Sequence, residues 1–92
     1  MVDKKEETVR VAKLVHEYLV AFHGHYKLPR NFNEGILLTW CHVNLGKEYR
    51  DWSYYVGHRD DPHTVLHIKD PRWCRIFELT WGHLIIGTLD IK

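Results

Sequence analysis

The sequence predicts an α+β domain, with one or two N-terminal helices packed on an antiparallel four-stranded β-meander and a winged-helix-like arrangement as the alternative. Three observations predict it. Apolar residues recur at helical spacing up to residue 23, and the pattern changes to a two-residue period from Tyr49 onward. Pro and Gly then punctuate the second half at short intervals. Helices followed by a run of strands belong to the α+β class. The chain has 92 residues, which fits a single domain spanning 1–92.

Residues 4–23 predict the first helix. Asp3 and Glu6 have capping-box spacing, and Val11, Val15, Tyr18 and Phe22 recur on one face. Gly24 stands where a glycine would end that helix. HYKLPRNFN, residues 25–33, reads as a loop because of Pro29 and two Asn. Residues 34–45 read in two ways. As a helix, Asn33 caps the start, Ile36, Leu37, Trp40, Cys41 and Leu45 share a face, and Gly46 supplies the stop. As a strand, the same residues leave no polar side. A winged-helix arrangement would need a third helix, and no further segment shows convincing helical spacing.

Four strands are predicted next. RDWSYYVG is rich in aromatic and β-branched residues and ends at Gly57. TVLHI follows the polar turn HRDDPH. KDPR places Pro71 at the second position of a turn. WCRIFELT and HLIIGTLDI then read as a hairpin joined through Trp81 and Gly82. In a two-residue turn, Phe77 pairs with Ile86 and Leu79 with Leu84, which makes one core face together with Trp73. The other face carries Cys74, Ile76, Ile85 and Leu89, a half-apolar strip. Either residues 25–33 or residues 34–45 fold over it, or it is a dimer or partner interface.

Composition narrows the function classes. Thirteen basic and twelve acidic side chains give a net charge of +1, unlike a strongly acidic DNA mimic or a strongly basic nucleic-acid binder. Two Cys are too few for a disulfide scaffold or a Cys-based zinc site. No leader-like segment and no apolar run near the ~20 residues of a membrane span is visible, so the expectation is a cytoplasmic protein with free thiols and no membrane partner.

Three constellations could carry chemistry. His58, Asp60, Asp61, His63 and His67 crowd one polar turn and its following strand, and imidazole with carboxylate suits divalent metals. Pro62 breaks any helical ligand spacing, so no metal and no cofactor is expected there. Cys41 precedes His42 directly, but adjacent helical residues do not face each other, which makes a poor nucleophile–base pair. No phosphate loop, Ser–His–Asp set or paired-carboxylate pattern occurs, so the chain is expected not to be an enzyme. The third constellation is aromatic and basic. Arg50, Tyr55, Arg72, Arg75, Ile76 and Ile85 are the candidate contact residues, because Arg, Tyr and Trp dominate protein–protein hot spots.

These readings converge on a small protein-binding module, an inhibitor or adaptor of a larger protein machine. It would act through an aromatic, Arg-rich sheet surface and could also bind itself as a homodimer. The alternative is a nucleic-acid-binding module that uses the same aromatic and basic side chains. Asp51, Asp60, Asp61 and Asp70 interrupt the basic residues and weigh against that alternative.

Overall fold

The computed structural model describes residues 17–29, 32–57 and 64–90. The class is the predicted one: a four-stranded antiparallel sheet with helices. The strands are β1 (Gly24–Leu28), β2 (Trp52–Val56), β3 (Thr64–Ile68) and β4 (Gly87–Thr88), in spatial order β2-β3-β1-β4. The helices are α1 (Glu34–Asn44) and α2 (Pro71–Trp81), and a 3-10 turn (Gly82–Leu84) follows α2. Residues 17–20 are also helical. The proposed cap at Asp3 and Glu6, and most of the first predicted helix, lie outside the described residues.

Three expectations are corrected. The sheet is no meander, because β1 inserts between β3 and β4. Residues 25–28 are strand rather than loop: β1 pairs along its whole length with β3, Gly24 opposite Ile68 and Leu28 opposite Thr64. The C-terminal hairpin does not form. WCRIFELT lies within α2, and residues 82–90 hold the 3-10 turn and a two-residue strand.

Helix wins over strand at residues 71–81 for local reasons. Asp70 is the N-cap, its side chain accepts from the Arg72 N–H at 2.9 Å, and Pro71 occupies the first turn. A type I turn and a helical first turn share backbone angles at the Pro position, so the KDPR turn simply continues. Trp73, Cys74, Phe77 and Trp81 then fall on one side at helical spacing. Gly24 also has a different role from the predicted helix stop. A Cβ there would lie 2.8 Å from the Cys74 sulfur and 2.7 Å from the Tyr26 ring, so the glycine lets β1 meet α2 closely.

α1 resolves the ambiguity of residues 34–45 in favour of helix. Leu37 and Cys41 are fully buried one turn apart, and Leu45 follows one turn later. Asn33 takes the cap position with extended backbone but makes no side-chain cap bond. Gly46, at φ +109, ends the helix in a region where a side chain would be strained.

The core lies between the helices and one face of the sheet. Tyr26 and Leu28 of β1, Leu66 and Ile68 of β3 and Trp52 of β2 meet Leu37, Cys41, Cys74 and Phe77. The opposite face carries His25, Ser53, Val65 and His67, all buried. α1 packs on the core face instead. The segment leading into β1 covers the opposite face: Phe22 packs on His67 with ring centroids 6.1 Å apart, and Tyr18 meets Phe22 edge-on at 5.1 Å. The Tyr18 hydroxyl donates to the Tyr49 carbonyl and ties this segment to the loop before β2.

Candidate functional site: the outer face of the helical layer

Exposed apolar side chains lie on both helices as well as at Tyr55 and Val56 of β2 and at Tyr49 and Ile86 in loops, and those of the helices form the more continuous surface. α2 buries Cys74 and Phe77 and turns Arg72, Arg75, Ile76 and Leu79 outward at i, i+3, i+4 and i+7. Leu79 is 81% exposed and Ile76 is 40% exposed. On α1, Ile36 and Val43 are exposed two turns apart on the same side. Between the two helices stands a tryptophan cluster. Trp40 lies edge-on to Trp73 at 6.1 Å and to Trp81 at 6.2 Å, and it also touches Phe77 at 6.1 Å. Trp40, Trp73 and Trp81 are all half-buried. They fix the helices to each other and continue the apolar surface between them.

The six sequence-derived candidates do not share one surface. Arg72, Arg75 and Ile76 stand together on α2, so the face they make is helical and not part of the sheet. Tyr55 is on β2, opposite Val65 of β3, and 46% exposed. Ile85 is half-buried against the core, which rules it out as part of a bare strip. Leu89 is half-buried as well, beside β1, with its N–H donating to the His25 carbonyl at 2.9 Å.

Arg50 is committed to its own loop. Its guanidinium contacts Asp51 at 2.8 Å and 3.0 Å, and the same carboxylate accepts the Lys47 N–H at 2.8 Å. These partners hold the Asp51 carboxyl below the usual carboxylate range. Arg72 pairs likewise with Asp70 at 3.2 Å and lowers that carboxyl too. Among the described residues, Arg75 and Glu78 take part in no ion pair. Sequence reasoning missed Leu79 by assigning it to a core face through strand alternation; the Asp-Pro start at 70–71 was the signal that could have placed it outside.

A cleft of about 670 Å³ opens beside α2, between the start of β1 and the end of β4. Arg75, Glu78, His23 and Asp90 line it, so its charges are mixed in sign. Its floor holds Cys74, whose thiol is buried, pushed above its ordinary pKa by burial, and donates to the Ile68 carbonyl at 3.5 Å. Cys41 is buried too, and burial pushes its thiol up to about 12. Neither thiol is poised as a nucleophile.

On the opposite sheet face, His25 Nδ1 and His67 Nδ1 are 2.7 Å apart. One ring must donate its N–H and the other must accept, so the pair holds one hydrogen between the two nitrogens. Burial lowers both, and together with the neighbouring His25 it brings His67 down to about 4. His67 therefore belongs to a buried structural pair. His58, Asp60, Asp61 and His63 of the proposed metal cluster lie outside the described residues. Among the described residues, no group of three or more His, Cys, Asp or Glu side chains could hold a metal ion. No described helix is long and apolar enough to cross a membrane.

Comparison with protein-family models, curated proteins and solved structures found no match.

Proposed function

We propose that this protein is a small protein-binding module, of the kind that inhibits or adapts a larger protein machine, and that its contact surface is the outer face of α2. One observation carries the reading: Leu79 stands 81% exposed beside Ile76 on a helix whose other side is packed against the core. Burying such a side chain fully is worth roughly 1.5–3 kcal/mol, a gain the isolated fold forgoes at this position. Arg72 and Arg75 on the same face supply the residue type enriched at hot spots. The reading assigns no catalysis.

The nucleic-acid alternative has less support. Asp51 and Asp70 stand beside Arg50 and Arg72, so two of the three arginines expected at phosphates carry an adjacent acid that repels the phosphate backbone.

A photo-crosslinking experiment tests the proposal. A benzophenone side chain replaces Leu79 in the full chain, produced in its native cells. A second version carries the label at Lys47, which is exposed on the loop before β2. A discrete protein adduct from position 79, with none from position 47, is the expected result. Absence of any adduct from position 79 would overturn the proposal. So would tight binding of fluorescent oligonucleotides with affinity falling steeply as salt rises, because that signature belongs to phosphate contacts.

A further inference from the structure

The outer face of α2 is complementary to itself. Arg75 and Glu78 lie three residues apart on one flank of the helix, next to Leu79, and both are exposed. Neither has an ion-pair partner among the described residues. Two copies of such a helix can meet in two ways. A parallel pair sets seam residues against their own copies and brings Arg72 to Arg72, which is repulsive, and its opposite flanks meet, which keeps Arg75 of one copy away from Glu78 of the other. An antiparallel pair about a two-fold axis between residues 76 and 79 sets Ile76 against Leu79 of the other copy. In antiparallel pairs equal flanks meet, so the same axis brings each Arg75 to the other copy's Glu78.

We propose that the occupant of this face is a second copy of the chain, joined by antiparallel packing of the two α2 helices. The proposal rests on the reading of this face as a contact surface and names its partner. The interface is isologous, so every contact occurs twice and the assembly closes at two copies. An 11-residue helix is only about 16 Å long, so the contact is small and the dimer is weak and reversible. Self-association in the micromolar range or above fits an interface of that size.

Analytical ultracentrifugation of the full chain tests this from about 10 µM to about 1 mM, the span over which so small an interface would fill. The weight-average mass should rise from 11.1 kDa toward twice that value. Leu79→Asp should stay at the single-chain mass throughout. Leu79 is so exposed that this variant should melt as the wild type does, and Leu79→Gln repeats the test with no added charge. Arg75→Glu and Glu78→Arg should each weaken the dimer by more than about tenfold, because each sets like charges together. The double variant Arg75→Glu/Glu78→Arg should restore it to within about threefold of wild type, since the cross-pairs are re-formed with their signs exchanged.

A wild-type chain that stays at 11.1 kDa at every concentration would overturn the proposal, as would a Leu79→Asp chain that dimerises normally. A double variant no better than the single ones would overturn the antiparallel geometry. Failure here and failure of the broader reading are distinguishable. A monomeric wild type whose position-79 crosslinker still captures a foreign protein loses the self-pairing and keeps the contact surface. A monomer that captures nothing loses both.

Discussion

The buried His25–His67 pair should make the stability of this protein fall steeply in mild acid. Above pH 6.5, the ordinary histidine value, both folded and unfolded chains hold His67 neutral and nothing is lost. Below it the unfolded chain takes up a proton that the native ring refuses, so stability declines until the native ring protonates near pH 4. The difference between about 6.5 and about 4 is worth about 3 kcal/mol in full, and about 2.5 kcal/mol of it is lost by pH 4.5. That is a large part of the 5–15 kcal/mol typical of a small domain. Burial lowers His25 as well, Asp90 favours its charged form, and a protonated His25 could go on donating its Nδ1–H to His67 Nδ1. A second proton would set two N–H groups against each other at 2.7 Å. Urea unfolding at matched ionic strength between pH 7.5 and pH 4.5 measures the loss, in a range where Asp51 and Asp70 are still ionised. His67→Asn keeps a short polar group near Nδ1 but cannot titrate, so its stability should change far less across the same range. Equal pH slopes in the wild type and His67→Asn would refute the reasoning.

Two further predictions concern the backbone features that set the helices. Asp70→Ala removes the N-cap of α2 and should cost about 1 kcal/mol, read as a lower urea midpoint with an unchanged slope. Gly46→Ala should destabilise by more than about 1 kcal/mol, because φ is +109 there and the new methyl would press on the Asp51 carboxylate. Thermal melts should rank Gly46→Ala below Gly35→Ala, whose Cβ would come no closer than 3.4 Å to any neighbour.

The parts of the fold that were legible in the sequence share a physical feature: a single local signal with no competitor. TVLHI, between the HRDDPH turn and the KDP stretch, is β3 to the residue, and WSYYV is β2. α1, by contrast, was legible only as one of two readings, helix or strand, with Gly46, the glycine that stops it, on the side of helix. β1 was hidden because both sheet faces are covered. His25 is buried on one side and Tyr26 on the other, so no polar alternation marks the strand, and Pro29 directly after it suggested a loop. α2 was hidden because IFEL satisfies strand alternation over four residues, while its helical period shows only when Trp73, Phe77 and Trp81 are read together. That single reassignment moved Ile76 and Arg75 from a sheet to a helix and exchanged Leu79 from core to surface. Of the six candidate contact residues, the three on α2 remain together. Arg50 is held by Asp51, the next residue in the chain, a local contact, whereas Ile85 is packed against the core through tertiary contacts that no local pattern encodes.

Residues 71–81 form a helix with Phe77 inside and Leu79 outside, two side chains that a strand would place on the same side. Urea denaturation of Phe77→Ala and Leu79→Ala, each measured in dilute solution, tests this directly. The fully buried Phe77 should cost about 3–5 kcal/mol and the exposed Leu79 less than about 0.5 kcal/mol. Comparable losses from the two substitutions would contradict the account.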